Sequence, residues 1–435
     1  MNKTELQEFR SLIKKYLSET DGKLIPGKTK IPLAVPPFGT EEVLEALESM
    51  LARKTTMGDK VKKFEKKFAD YVGSKYSLMV NSGSSANLLA LSILSNPYLR
   101  DKRIKTGDEI ITPAVTWATT VSPIVNIGAI PNFVDVGLND FNIDADKIES
   151  AISKKTKAIM IVHLLGCPCD VHKIREIAQK NDLWLIEDSC EAHGARYKKQ
   201  HVGSFGDIST FSFFASHHIT TMEGGMIVTN NAELYDIGKS IRTFGWTRDM
   251  GKKKQIETSY PHIDPRFLFV NIGYNFRPTE LQGAFGIHQI AKLDGLVDIR
   301  IKNAEYWNRV FSPLKKYIRT SQTKRGYKNS YLFYPITVVK NEYFTRDELV
   351  QYLEKHRIET RPIMTGNIVE QPVSKIIKFK TTGDLKNSQY IMRNSFAIGN
   401  HHEMNESVRK FIADIIIYFI DKKLKNKKPI IARRE

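Results

Sequence analysis

Alternating strand-like and helix-like patterns from about residue 76 predict an α/β chain with a mainly parallel central sheet and a smaller α+β domain at the C-terminal end. Two observations carry this. The apolar runs read as strands are nearly continuous, which fits a sheet buried on both faces. After Pro278 the rhythm changes to one long helical pattern, followed by a strand-like and a helix-like window.

In chain order, Leu6, Phe9, Leu12, Ile13 and Tyr16 share a helical stripe over residues 4–18. A loop rich in Gly, Pro and Lys covers 22–37, and a helix starts near Thr40. Val61, Phe64, Phe68 and Val72 mark another helix with one apolar face. Strand-like runs then fall at 109–112, 130–136, 157–165, 183–188, 208–213 and 225–229, and helical windows at 85–94, 118–127, 145–152 and 171–179. The long helical pattern runs to Val297 and on from Arg300 to Phe311. A strand-like window at 331–339, a helix-like one at 346–356 and a packed apolar helix around 411–420 complete the chain. The expected division is 1–34 for an N-terminal helix and loop, 35–298 for the large domain and 299–435 for the small one, with no internal repeat.

Bulk properties narrow the function. No apolar run reaches the length of a membrane span, and the charged N-terminus lacks the apolar segment of a signal peptide. Three cysteines are too few for a disulfide framework, so the expected location is the cytoplasm. The net charge of +18 is spread along the chain and no DNA-reading motif accompanies it, so no nucleic-acid partner is expected. The one dense basic cluster runs from Lys422 to Arg434 and reads as a solvated terminus.

The chemistry-bearing residues gather after strand-like runs, where an α/β sheet binds its ligand. Asn81-Ser-Gly-Ser84-Ser85-Ala-Asn87 opens a helix, whose small residues and free amides suit a phosphate. Trp117 follows one strand-like run. Asp188 ends another, in Leu185-Ile-Glu187-Asp188-Ser-Cys190-Glu191-Ala-His193-Gly194. Each of these, taken alone, is also an ordinary cap, turn or core residue. Residue by residue, the sequence reads as an α/β enzyme that binds a phosphorylated ligand.

The segment Ser212-Phe-Phe-Ala-Ser-His217-His218-Ile-Thr-Thr-Met-Glu-Gly-Gly225 resembles the cofactor-lysine loop of the DegT/DnrJ/EryC1/StrS sugar aminotransferases. The motifs above, Gly273-Tyr-Asn275-Phe-Arg277 and Arg357-Ile-Glu359-Thr-Arg361-Pro362 fit the same family in order and spacing. The resemblance implies a PLP-dependent transferase fold of the aspartate aminotransferase type (type I). It also implies a pyridoxal or pyridoxamine phosphate cofactor (PLP or PMP). Ser84, Ser85 and Ser212 are then expected at the phosphate, Trp117 on the ring and Asp188 at the ring nitrogen. Glu191 is expected beside the cofactor, and Asn275 at the phosphate of a neighbouring subunit, which makes a homodimer with shared sites.

His217 stands where the family has the lysine that forms a Schiff base. Histidine forms no stable imine, but it moves a proton near neutral pH. Among the relatives, that replacement marks the sugar 3-dehydratases. The implied reaction removes the C3 hydroxyl of a nucleotide-linked 4-keto-6-deoxyhexose, with GDP-4-keto-6-deoxymannose as the first choice. His217 acts as acid–base and L-glutamate restores PMP. The setting is 3,6-dideoxysugar synthesis for O-antigen or lipopolysaccharide. His218 is the alternative base or a substrate contact, and Arg361 suits either the glutamate carboxylate or a sugar oxygen.

One dehydratase type also carries a [2Fe–2S] cluster fed by a reductase, which needs four cysteines. With only Cys167, Cys169 and Cys190 available, neither cluster nor reductase is expected, and no metal site is expected at the histidine pair. The alternatives are a nucleotide-sugar aminotransferase and, more remotely, a non-catalytic PLP-domain regulator.

Overall fold

The computed structural model describes residues 3–20, 22–321 and 323–426, so the end of the basic tail lies outside the described residues. The main sheet has eight strands, in the order Tyr76–Val80, Gly225–Thr229, Ile208–Ser212, Trp184–Asp188, Thr156–Val162, Glu109–Pro113, Ile130–Val134 and Lys380–Thr382. Gly225–Thr229 runs antiparallel to both of its neighbours. All other pairs are parallel. The strand-like runs of the sequence therefore form the sheet within one to three residues at their ends.

Side chains alternate across each strand and bury both faces. Leu78, Val80, Ile186 and Ile208 pack with Leu89, Ile93 and Ile237 of the helices Gly83–Leu94 and Ala232–Arg242. On the opposite face Met79, Phe211 and Phe213 pack with Phe64, Phe68 and Leu293 of the helices Asp59–Val72 and Glu280–Phe311.

The smaller sheet is wholly antiparallel, in the order Ile318–Thr320, Tyr334–Val338, Ser395–Ile398, Thr360–Pro362. It packs on Trp307 and Phe311 and on Val408, Ile412, Ile416 and Ile420 of the helix Glu406–Asn426. The apolar run at 411–420 is thus a packed helix.

Glu280–Phe311 joins the two parts. Its N-terminus is fixed by a capping box of Thr279 and Gln282. Its 32 residues extend about 48 Å at 1.5 Å per residue. Position 298 falls inside this helix, with Leu293 and Val297 in one core and Ala304 and Trp307 in the other. The N-terminal helix Lys3–Thr20 forms as its periodicity requires, yet Leu6, Phe9, Leu12 and Tyr16 are exposed in the single chain. No helix among the described residues is long and apolar enough to cross a membrane.

Candidate active site

Sheet register assembles the site. Val80, Gly225 and Ser212 lie side by side across three strands, and Val162, Asp188 and Thr210 across two further strands and the one that carries Ser212. The carboxyl ends of the parallel strands open into a cavity of about 310 Å³. Gly83, Ser84, Trp117, Asp188, Glu191, Ser212 and His217 line it from the large domain, and Leu332, Phe333 and Arg361 from the small one.

Two glycines set the close approach at one wall. A Cβ on Gly83 would lie 2.4 Å from the Ser212 Cβ, and one on Gly225 would lie 2.2 Å from the Ser82 carbonyl oxygen. Only glycine lets the helix N-terminus at Gly83 sit against the end of Ile208–Ser212. Ser82 caps that helix by accepting from the Ser85 amide at 3.1 Å.

Asp188 is buried and held on both oxygens. Oδ2 accepts from Asn87 Nδ2 and from Thr120 Oγ1, each at 2.8 Å, and Oδ1 accepts from the Cys190 amide at 3.2 Å. Asn87 Oδ1 in turn accepts from Thr210 Oγ1 at 2.6 Å, and Thr116 Oγ1 donates to Thr120 Oγ1 at 2.8 Å. The neighbouring acid of the motif faces away: Glu187 meets His163 at 3.0 Å and accepts from the Gly203, Phe205 and Gly206 amides. Glu191 accepts from the Leu165 amide at 2.7 Å, and burial raises its carboxyl to about 7. Burial and the Asp188 charge keep the Cys190 thiol protonated.

The two adjacent histidines separate. His217 lines the cavity with its Nδ1 buried, which leaves Nε2 as the nitrogen available there. Burial lowers it to about 4, with the buried Arg300 guanidinium adding to the shift and the Cys190 backbone opposing it. It is neutral at pH 7.

His218 corrects the expectation of a second base or substrate contact. It is fully buried, its Nε2 lies 3.1 Å from the Ser330 carbonyl, and it forms no part of the cavity wall. The chain turns and bends through 215–219, and this local geometry sends one ring into the cavity and the other into the core. Ser85 is likewise turned aside, its hydroxyl accepting from Ser82 Oγ at 3.0 Å, and it does not line the cavity. Asn275 is exposed, accepts from Arg277 Nε at 3.0 Å and lies outside this chain's cavity.

Sequence reading did not single out Asn87, Thr120 or Arg300. Asn87 stands in the quoted helix-opening segment, and the i, i+4 spacing of Thr116 and Thr120 was the available signal for that pair. Arg300 carries no local mark. It is 1 % exposed, donates through Nη1 to the carbonyls of Leu332 (2.8 Å) and Asn400, and is lowered to about 9 by burial.

This electrostatic setting has a consequence for stability. His193, His218 and His401 are buried, and burial holds each well below the usual imidazole value. A histidine with a depressed folded value binds its proton first in the unfolded state. Stability therefore falls as pH drops through about 6.5, by up to about 1.4 kcal/mol per pH unit for each imidazole. His201 and His217, each lowered to about 4 by burial, act in the same direction, and Glu191, with a raised value, opposes them. Thermal melting followed between pH 7 and 5 is expected to show a falling midpoint; a flat or rising one contradicts it.

A mainly parallel sheet with a cavity at its strand ends, an anchored aspartate and a helix N-terminus define a site of the PLP-dependent transferase class. The chain belongs to the DegT/DnrJ/EryC1/StrS aminotransferase family, whose pattern matches residues 37–416. It is 41% identical over 375 residues to a GDP-4-keto-6-deoxy-D-mannose 3-dehydratase of Yersinia pseudotuberculosis, covering 85% of this chain and 94% of that protein. A solved GDP-4-keto-6-deoxymannose-3-dehydratase with a trapped PLP-glutamate geminal diamine superposes with a TM-score of 0.82 at 37% identity, over 89% of this chain and all of that one. A mutant of such a dehydratase with bound GDP-perosamine superposes equally well, at 38% identity over 89% of this chain and all of that one.

The residues present fit a PLP-type cofactor. A buried, hydrogen-bonded carboxylate at the cavity floor suits a protonated ring nitrogen. The glycine-lined approach of helix and strand leaves the Gly83 and Ser84 amides open to a phosphate. Trp117, 47 % exposed at the cavity mouth, offers a ring face.

Proposed function

We propose that this protein is a PMP-dependent 3-dehydratase that removes the C3 hydroxyl of a nucleotide-linked 4-keto-6-deoxyhexose. GDP-4-keto-6-deoxymannose is the substrate to test first, by analogy with the relatives. The observation that carries this reading is His217 in the cavity, with no lysine lining it among the described residues. A nucleotide-sugar aminotransferase of this family would need that lysine.

When bound, PMP would supply the amine that engages the C4 ketone and a ring that takes up the electron pair left by proton removal and gives it back as the C3–O bond breaks. Asp188 holds a negative charge for the ring nitrogen and is kept from turning by Asn87, Thr120 and the Cys190 amide. Ser84 and Ser212, which line the cavity beside the helix N-terminus, would hold the phosphate, and Trp117 would offer a surface for the ring. His217 accepts a proton at Nε2 and returns it to the departing C3 oxygen. Arg361, exposed at the mouth, meets the carboxylate of L-glutamate or a sugar oxygen. Pairing into a homodimer is the arrangement in which Asn275 of one subunit would serve the other's site.

The test is a mass-spectrometric end-point assay with PMP, L-glutamate and GDP-4-keto-6-deoxymannose, and no reductase. The expected product lacks one oxygen, with ammonia and 2-oxoglutarate released. A nitrogen-containing sugar would move the assignment to aminotransferase. No turnover with the GDP, CDP and dTDP sugars would overturn the reading.

A further inference from the structure

Beside His217 lie two buried histidines, His193 and His218, that the reaction above does not use. His193 is 1 % exposed and packed among Phe68, Phe211 and Phe213. Its ring centroid is 6.2 Å from that of His217 and 5.8 Å from that of His218. Both nitrogens of His193, Nδ1 of His217 and Nδ1 of His218 are buried without a hydrogen-bond partner in the protein. Buried polar atoms in native structures are nearly always satisfied, by protein or by internal water. These are centroid separations, and a nitrogen that faces the neighbouring ring lies nearer to it than its own centroid does; one water bonded at about 2.8 Å to each of two nitrogens spans up to about 5.6 Å between them. No group of three His, Cys, Asp or Glu side chains among the described residues is placed to hold a metal ion.

The far end of this group has a fixed polarity. The Ser330 carbonyl only accepts, so His218 Nε2 carries a proton toward it at 3.1 Å. A neutral His218 then offers Nδ1 as an acceptor. Neutral His193 has one donor and one acceptor nitrogen. If its donor serves His218, its acceptor faces His217.

We infer that His193 is a positioning residue: through water it links His217 Nδ1–H to His218 and the Ser330 carbonyl, and so keeps His217 in the tautomer whose Nε2 is the free base. Arg300 beside the group discourages a positive charge on any of the three rings. This inference rests on the reading of His217 as the acid–base group, but its first test does not.

That test is nitrogen-15 NMR of the full-length protein labelled at its histidines, without cofactor or substrate, comparing wild type, H193F and H193Q. His217 is expected as the Nδ1–H tautomer in wild type and H193Q, and as a mixture or the Nε2–H form in H193F. The second arm is kinetic. H193F, whose ring fits among the surrounding phenylalanines, is expected to lose kcat on the order of 10²-fold, the lower end of an acid–base contribution, with KM nearly unchanged. H193Q, which keeps a donor and an acceptor, is expected to recover most of that loss. An Nε2–H tautomer in wild type, or an H193F protein with unaltered tautomer, overturns the inference. Failure of wild type to dehydrate any sugar overturns the functional reading and leaves the NMR result to decide this one.

Discussion

His217→Lys is expected to abolish dehydration while the chain stays folded. At pH 7 the native imidazole is neutral, because burial holds it at about 4, and so can accept a proton. The loss of a positioned acid–base group alone is on the order of 10²–10⁴-fold. The new amine also lies where it can hold the PLP aldehyde covalently, which borohydride reduction and intact mass would register. His217→Asn separates the two effects, since it removes the base without adding an amine. It is expected to be as slow as the lysine variant and to carry no covalent adduct. An unchanged dehydration rate in either variant removes His217 from the mechanism.

Asp188→Asn is expected to lose activity on the order of 10²–10³-fold, as for other electrostatic partners removed from a water-excluded site. The carboxylate accepts from Asn87, Thr120 and the Cys190 amide. An amide in its place can accept on only one side, so at least one buried donor is left facing an N–H₂ group. That costs about 1–3 kcal/mol of stability. The neutral side chain also no longer favours a protonated ring nitrogen. Cofactor affinity by fluorescence titration, rate by mass spectrometry and thermal melting read these three consequences separately. Full activity with intact affinity would show that Asp188 is only a structural cap.

Most of the large domain is legible in the sequence because a sheet buried on both faces leaves long apolar runs. The strands Glu109–Pro113, Trp184–Asp188 and Gly225–Thr229 fall where the pattern puts them. Their direction is not legible: a buried antiparallel strand and a buried parallel one have the same composition, so Gly225–Thr229 gave no sign of its reversal. Nor was the edge strand Lys380–Thr382 visible, since three polar residues carry no apolar period-two pattern and owe their place to pairing with Ile130–Val134. At the site, residues carried by a family motif at a strand end (Asp188, Ser212, His217) all reach the cavity. His218 shows the limit, because the bent chain at 217–218 sends one neighbour into the cavity and the other into the core, and no pattern in the sequence marks that bend. Arg300 and Thr120 act through distant backbone or side-chain partners, and no local pattern reveals those.

The long helix Glu280–Phe311 and the strand Lys380–Thr382 tie the small lobe to the large one in two independent ways. The first gives both hydrophobic cores a shared rod. The second stitches a late segment of the chain into the edge of the early sheet. The lobes are therefore not interchangeable modules. Grafting in a foreign small lobe to alter sugar preference would sever a helix at mid-length and unstitch an edge of the catalytic sheet. Specificity in this protein is better diversified through the cavity-lining segments around Leu332–Phe333 and Arg361–Met364 than by trading whole lobes.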